Sequence, residues 1–476
     1  MTRREWIAAL VVGQRVRPDA LVNAALADDL TALTMTDAAA RIARRALSPL
    51  ELVNAYLERI TQLNPRLNAF VTLTATHARA DARRSLPKPL PPLFGIPIAH
   101  KDLFETAGVR TTAGSMLYDN YLPSQDAALV RQLSRAGAIT IGKTNTHELG
   151  GGVTTINPFF GTTRNPVDQT RIPGGSSGGS AAAVTARLCA AATGSDTGGS
   201  VRIPAALCGC VGFKPTFGRL STQGLLGACP TFDHVGFLTR TVEDAQLMFA
   251  ASWRADPLAS AGAAGASAFA PSASADKKAP ALQSLRIGVP KSFFFDALQP
   301  AVANAIERAL DTFKARGATV TNVSVPVDDK TMARVFDPIV TWEIWNRFGP
   351  DWKLTPALFS PAFSEFFRTE RPTAAAFESA RTALAAFQSD LDRVFNDVDV
   401  IVTPTVPITA PLINGPIDGA LILRNTWPFN AAGTPAISVP CGVDASGLPI
   451  GLQIAGRRNN DDGVLRAARM FSDARS

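Results

Sequence analysis

The 476-residue chain contains four histidines and five cysteines, and it has no run of eighteen apolar residues. Each shortage removes a class of function. Without an apolar run of that length, the sequence carries no signal for a membrane-spanning helix. Five widely spread cysteines, an odd number, read as reduced thiols of a cytosol-like compartment rather than a disulfide framework. Cys208 and Cys210 form a C-x-C pair, but no second Cys or His pair lies near enough to complete a zinc site, so both are expected to be small core residues. The 47 Lys and Arg against 40 Asp and Glu leave a net charge of +7, scattered without a dense basic run, which argues against nucleic-acid binding. What remains, 46% hydrophobic and 18% charged, describes a globular protein with a large core.

The chain reads as a helical arm over residues 1–64 followed by one domain over 65–476. The arm begins with Thr2-Arg3-Arg4-Glu5-Trp6-Ile7, which loosely resembles a twin-arginine export signal, with Ala25-Leu26-Ala27 as a cleavage-site mimic. Its apolar run from Trp6 to Gly13 is short and is followed by Arg15, Arg17 and Pro18, so an amphipathic first helix and a cytoplasmic protein are expected. Ser48-Pro49-Leu50-Glu51 is a capping box with proline at the first helical position. Phe94–His100 is a short, nearly all-apolar run expected to be a strand buried on both faces, with Lys101 at its end. A helix over Asp126–Ala136 and a strand over Ala138–Gly142 follow. An alanine-rich helix is expected over Ser180–Ala190, then a second glycine-rich turn over Gly194–Ser200 leading to another helical segment. Residues 255–283, rich in Ala, Ser, Gly and Pro, read as a low-complexity insertion. Beyond it come a strand over Leu285–Val289, a helix through Val302, Ile306, Leu310 and Phe313, and a strand over Ala318–Val325. Residues 330–390 read as a helical cover whose aromatics, Trp345 to Phe366 among them, are either core or a hydrophobic substrate channel. A hairpin closes the pattern over 437–456. Strands alternating with helices imply an α/β fold: a central mixed, mostly parallel twisted sheet covered by helices on both faces.

The stretch RIPGGSSGGSAAAV at 171–184 poses the chemical question. A phosphate loop needs a Lys directly after its last Gly, where Ser180 stands. The esterase pattern G-x-S-x-G is matched at both Ser176 and Ser177, but it needs an acid and then a His further along, and only His234 follows. His147-Glu148 begins an H-E-x-x-H zinc motif whose second His is Gly151. A serine nucleophile would then need a lysine base. Lys101, at the end of a buried strand, can be neutral because an apolar interior disfavours the ammonium. The bland alternative is a solvated lysine, or one paired with Asp102. The turn GSDTGGS lets successive backbone N–H groups converge on one point, as an oxyanion needs.

Taken in order, GIPIAHKDLF, GKTNTHELG, RIPGGSSGGSAAA, GSDTGGSVRIPAALCG with GFKPT, and PAISVPCG…GLPIGLQIAGR closely resemble the amidase signature family across roughly residues 48–465. The resemblance implies that family's fold and its Ser–cis-Ser–Lys triad: Lys101 as base, Ser176 as the cis-serine after Gly175, and Ser200 as nucleophile. It further implies an oxyanion hole from the N–H groups of Thr197, Gly198, Gly199 and Ser200, and a substrate pocket lined by Gly150. Gly151 and Ser176 are expected beside the substrate as well. Two stretches depart from the family pattern, Val235-Gly236-Phe237 where Gly-Pro is usual and Gly433-Thr434-Pro435 where Leu often precedes the Pro. The implied function is hydrolysis of C–N bonds through an acyl-enzyme, with no metal and no cofactor. Gly150-Gly151-Gly152 and the aromatic segment point to hydrophobic aryl or alkyl amides, anilides or carbamates (urethanes), with esters as a side activity. The expected partner is a small-molecule amide or carbamate, with no nucleic acid and no membrane, the protein being a monomer or homodimer. Two alternatives stand beside this: the glutamine-hydrolysing A subunit of a tRNA-dependent amidotransferase, and a non-catalytic binding module on the same scaffold.

Overall fold

The computed structural model describes residues 29–254 and 285–474. The expected first helix and the 255–283 insertion lie outside the described residues. Eleven strands form one sheet: β1 (Phe70–Leu73), β2 (Pro97–Lys101), β3 (Ile139–Thr144), β4 (Ala191–Asp196), β5 (Val211–Lys214), β6 (His234–Thr239), β7 (Arg286–Pro290), β8 (Thr319–Val323), β9 (Val400–Pro404), β10 (Ala436–Val443) and β11 (Pro449–Gly456). Their spatial order is β1-β3-β2-β4-β6-β5-β10-β11-β9-β7-β8. The α/β class is as expected, a large sheet flanked by helices, but the sheet is not mostly parallel. Parallel pairing is confined to β3-β2-β4 and β9-β7-β8, and the six other pairings are antiparallel. Alternating helices and strands could not reveal this. The β4–β6 and β5–β10 neighbours are far apart in sequence, and strand direction is set by how those distant segments return.

Local signals hold where they are chemical. Ser48 and Glu51 form the reciprocal capping box that opens the helix Pro49–Leu67. Leu52, Val53, Tyr56 and Ile60 of that helix pack in the same core as Ile98 and Ala99 of β2 and the alanines 181–183. The helix that follows the glycine–serine stretch spans Gly178–Thr185, shorter than expected. Arg187, at φ +57°, turns the chain, and Ala191 and Ala192 open β4. The second glycine-rich turn is likewise shorter than its composition suggests, because Gly194, Ser195 and Asp196 are the last residues of β4. Those residues are small because the space is: a Cβ on Gly194 would meet Val201 Cγ2 at 2.7 Å and Leu238 Cδ1 at 3.0 Å. Val235-Gly236-Phe237 runs through β6 in regular register, Phe237 opposite both Thr193 and Phe213, so this departure from Gly-Pro keeps two full ladders. Cys208 and Cys210 are buried in the core.

Candidate active site

β2 and β4 are adjacent parallel strands, and both end at the same place. Lys101 is the last residue of β2 and Asp196 the last of β4, so Lys101 and the loop after Asp196 meet at one edge of the sheet. This is where an α/β sheet places its ligands. Lys101 is fully buried, and its Nζ donates to Ser176 Oγ at 2.6 Å and to Ser195 Oγ at 2.8 Å. Burial pushes its pKa down to about 7, although Asp196 and Asp233 pull it up. Asp102, the neighbour that might have claimed it, pairs instead with Lys143 of β3 at 3.4 Å and accepts from Thr112. Ser176 follows a cis Gly175–Ser176 peptide bond. Its carbonyl accepts from His147 N at 3.1 Å and from Thr146 Oγ1 at 3.0 Å, which ties the glycine–serine stretch to the segment after β3.

Ser200 sits in the loop between β4 and the helix Arg202–Cys208. Three of the loop's carbonyls are tied back into the protein. Gly198 O accepts from Thr426 Oγ1 at 2.6 Å, Gly199 O from Ile203 N at 2.7 Å, and Ser200 O from Ser177 N at 3.1 Å. The amide N–H groups of Thr197, Gly198, Gly199 and Ser200 donate to no backbone acceptor among the described residues. Gly199 adopts φ +144°, and a Cβ there would meet Thr426 Oγ1 at 2.2 Å, so the loop turns only because this residue has no side chain.

A buried ion pair, unforeseen from the sequence, holds the loop's stem. Arg202 Nη2 lies 2.8 Å from Asp196 Oδ1 and its Nε 3.0 Å from Oδ2, both side chains being fully buried. Asp196 Oδ2 also accepts from Val201 N at 3.1 Å, and Arg202 continues to Gln453, Asn430 and the Thr426 carbonyl. Burial pushes the Asp196 carboxyl up, but the Arg202 guanidinium overrides it and holds the pKa below the ordinary carboxylate range. Asp233 completes the surroundings. Its Oδ1 accepts from Thr197 Oγ1 at 2.5 Å and its Oδ2 from Cys229 N at 3.1 Å, and burial raises its pKa to about 6.

A cavity of about 300 Å³ opens on this edge. Its lining brings together Ser200, Thr197 and Gly198 with the run Gly150-Gly151-Gly152, as well as Ser195 and Asp233. Gly150 stands next to Ser176: a Cβ on it would lie 3.7 Å from Ser176 Oγ and 3.2 Å from Leu103 Cδ1. The opposite wall is apolar, with Phe336, Val340 and Ile344 beside Phe363 and Phe366. The aromatic segment therefore divides between a core cluster and the wall of the cavity. Trp345, Phe348 and Phe367 pack in a core cluster, and Phe363 belongs to that cluster while also facing the cavity. His147 lines the cavity too, and burial beside Lys101 pushes its pKa down to about 4, so the ring is neutral near pH 7.

Ser195, Asp233, Asp196 and Arg202 are the residues that sequence reasoning missed. Ser195 and Asp196 stood inside the quoted turn, but every residue of β4 is buried, so no alternation marks them. Asp233 had no local signal, because only the β4–β6 register, Asp196 opposite His234, brings it beside Thr197.

Fold and site together define an enzyme of the hydrolase or amidotransferase kind. The chain belongs to the amidase family, whose model matches residues 51–465. It is 36% identical over 480 residues to the A subunit of glutamyl-tRNA(Gln) amidotransferase from Geobacter metallireducens, covering 94% of this chain and 98% of that one. Among solved structures, it is similar to a protein described as an amidase (TM-score 0.82, 31% identity, 93% of this chain and 100% of that one). It is also similar to the A subunit of glutamyl-tRNA(Gln) amidotransferase from Thermotoga maritima (TM-score 0.75, 32% identity, 93% and 95%). Among the described residues, no helix is long and apolar enough to cross a membrane.

Proposed function

We propose that the protein is an amidohydrolase that cleaves hydrophobic amides through a Lys101–Ser176–Ser200 relay and an acyl-enzyme. The observation that carries this reading is the buried Lys101, 2.6 Å from Ser176 Oγ and with a pKa near 7. A neutral amine takes the Ser176 hydroxyl proton while Ser176 takes that of Ser200. The Ser200 oxygen then adds to the carbonyl carbon, and the electron pair of the C=O bond moves onto oxygen, facing the N–H groups of residues 197–200. The relay returns the proton to the nitrogen as the C–N bond breaks. Water, deprotonated by the same relay, then cleaves the Ser200 ester.

The substrate class follows from the cavity wall. No Lys or Arg lines the cavity among the described residues, so a free α-carboxylate would find no cation there. The apolar wall from Phe336 to Phe366 suits an aryl or alkyl group of an amide, anilide or carbamate. A second reading, the glutamine-hydrolysing component of a tRNA-dependent amidotransferase, is favoured by what the curated relatives are called, at 36% identity over almost the whole chain. That role would bring partner proteins and tRNA, where the first reading needs only a small molecule and a monomer or homodimer.

A fluorophosphonate probe tests the shared chemistry. The expected result is one adduct at Ser200, lost in Ser200→Ala, and labelling elsewhere would refute it. Turnover of hydrophobic anilides and carbamates without glutaminase activity supports the first reading. The reverse pattern replaces it with the second.

A further inference from the structure

We propose that Asp233 is a recognition group for a positively charged amine on the substrate, so that the favoured amides are apolar chains bearing one ammonium group close to the scissile bond. This rests on the hydrolase reading above and narrows its substrate class. The placement comes from the sheet. With Asp196 opposite His234 in the β4–β6 ladder, Asp233 falls beside Thr197, three residues from Ser200 in the same loop. Only 7% of Asp233 is exposed, and it lines the cavity.

The charge state of its neighbours makes this carboxylate unusual. The buried carboxylates of Asp102 and Asp196 each have a cation of their own, Lys143 and Arg202. Asp233 forms no ion pair among the described residues. Its two oxygens accept one hydrogen bond each, from Thr197 and Cys229, and an ionised carboxylate has about four lone-pair sites to fill. Asp244, Glu148 and Asp461 are also buried without an ion pair among the described residues, but none of them lines the cavity. The Glu343 carboxylate accepts from the Thr231 N–H and hydroxyl and adds negative potential at Asp233. Lys101 and Asp233 act on each other electrostatically without an ion pair between them, and the charge of Lys101 is largely lost above pH 7.

A carboxylate without a cation, buried in the wall of a cavity that no Lys or Arg lines among the described residues, is stabilised by a ligand that brings the cation. The rest of the wall fixes the shape of that ligand: Val340, Ile344 and Phe366 accept an aliphatic or aryl body, and Asp233 accepts its charged tip. The whole chain carries a net charge of +7, so a preference for a cation would have to be local rather than a product of the overall field. The competing role for Asp233 is a tether that does no more than hold Thr197. A tether would not distinguish an ammonium from a neutral group of the same shape.

The test is calorimetric binding of n-hexylammonium and of 1-hexanol to the full-length protein at pH 8, where both Asp233 and the amine are ionised. The expected result is that hexylammonium binds at least about tenfold more tightly, the scale of a hydrogen bond to a charged group, and that Asp233→Asn removes the difference. Equal binding, tighter hexanol binding, or a preference that survives in Asp233→Asn would overturn the proposal. Absence of binding by either probe would overturn it as well. Should Asp233→Asn not fold, the wild-type contrast decides. Hydrolysis of alanine 4-nitroanilide against its isostere isobutyryl 4-nitroanilide separates the two readings. A protein that binds the cation but cleaves neither sinks the hydrolase reading and keeps the subsite. One that cleaves both at equal kcat/KM keeps the hydrolase and sinks the subsite.

Discussion

The pH dependence of turnover follows from one buried amine. Lys101 acts as proton acceptor only when neutral, and burial places its pKa at about 7. For a single group of that pKa, the neutral fraction is about 9% at pH 6, 50% at pH 7 and 91% at pH 8. We expect kcat/KM for an amide substrate to climb about tenfold between pH 6 and pH 8, with unit slope below the midpoint and a plateau above it. Replacing Lys101 by Met keeps an unbranched chain one atom shorter and removes the base, which should lower kcat/KM by about 10²–10⁴-fold and abolish the climb. The same shift has a thermodynamic signature of fixed sign. Between about pH 7 and pH 10.5 the unfolded chain holds a proton on Lys101 that the folded chain lacks. Stability therefore rises with pH through this window, by about 1.4 kcal/mol per unit for one group, and falls again as pH drops toward 7. Below pH 7 both states carry the proton and the slope vanishes. Denaturant unfolding of the wild type and Lys101→Met at pH 7 and pH 9 measures it as the pH-dependent part of their difference. A flat rate profile from pH 6 to 9, a midpoint near 10, or an active Lys101→Met would refute the assignment.

Arg202→Met should leave Asp196 as an uncompensated buried charge, costing about 3–5 kcal/mol in a denaturant titration. It should also move the midpoint of the rate profile upward, because Asp196 already raises the Lys101 pKa and would do so more strongly unpaired; a downward shift would contradict this. Gly150→Ala places a side chain at φ +76° and 3.2 Å from Leu103 Cδ1, beside Ser176, at a strain of about 1–3 kcal/mol. Its kcat/KM should fall while fluorophosphonate labelling of Ser200 persists. Gly151→Ala would put a Cβ 2.5 Å from the Phe363 ring, which must turn into the cavity or away from it. Relative kcat/KM for bulky and small anilides should change in that variant, and an unchanged ratio would show that Phe363 does not shape the pocket.

How much of this was legible from the sequence depends on the distance over which each feature is encoded. Lys101, Ser176 and Ser200 stand in short stretches whose composition is itself the signal, although the glycines among them are required by residues distant in sequence, Pro204, Thr154 and Thr426, that press against the backbone. The capping box at Ser48 and the hairpin Ala436–Gly456 are local as well, and both were read correctly. The direction of the central strands was not, because β4–β6 and β5–β10 pair segments that no periodicity relates. The glycine-rich turn at 194–200 was misjudged for a related reason. Small residues look like a turn, but here three of them are the tightly packed end of a strand. The partner of Asp102 was equally out of reach: adjacency to Lys101 suggested one pair, and the register of β3 supplied Lys143 instead.

The features that could not be read are also those that set the chemistry of the ones that could. A buried lysine is neutral near pH 7 when its desolvation outweighs the pull of the anions around it, and an anion paired elsewhere pulls less. Two of the carboxylates near Lys101 are claimed elsewhere, Asp102 by Lys143 and Asp196 by Arg202, each pair being fully buried. Asp233 alone is left without a cation, and it is held by Thr197 and Cys229. The ion pairs thus do two things at once. Arg202 fixes the stem of the Ser200 loop through Asp196, and it offsets part of the pull by which Asp196 raises the Lys101 pKa. A motif of Lys and two Ser is therefore not sufficient for a reactive site. In the proposed relay, Lys101 is tuned toward neutral pH first by its burial and second by the pairing of the surrounding charges, and only the folded sheet specifies either.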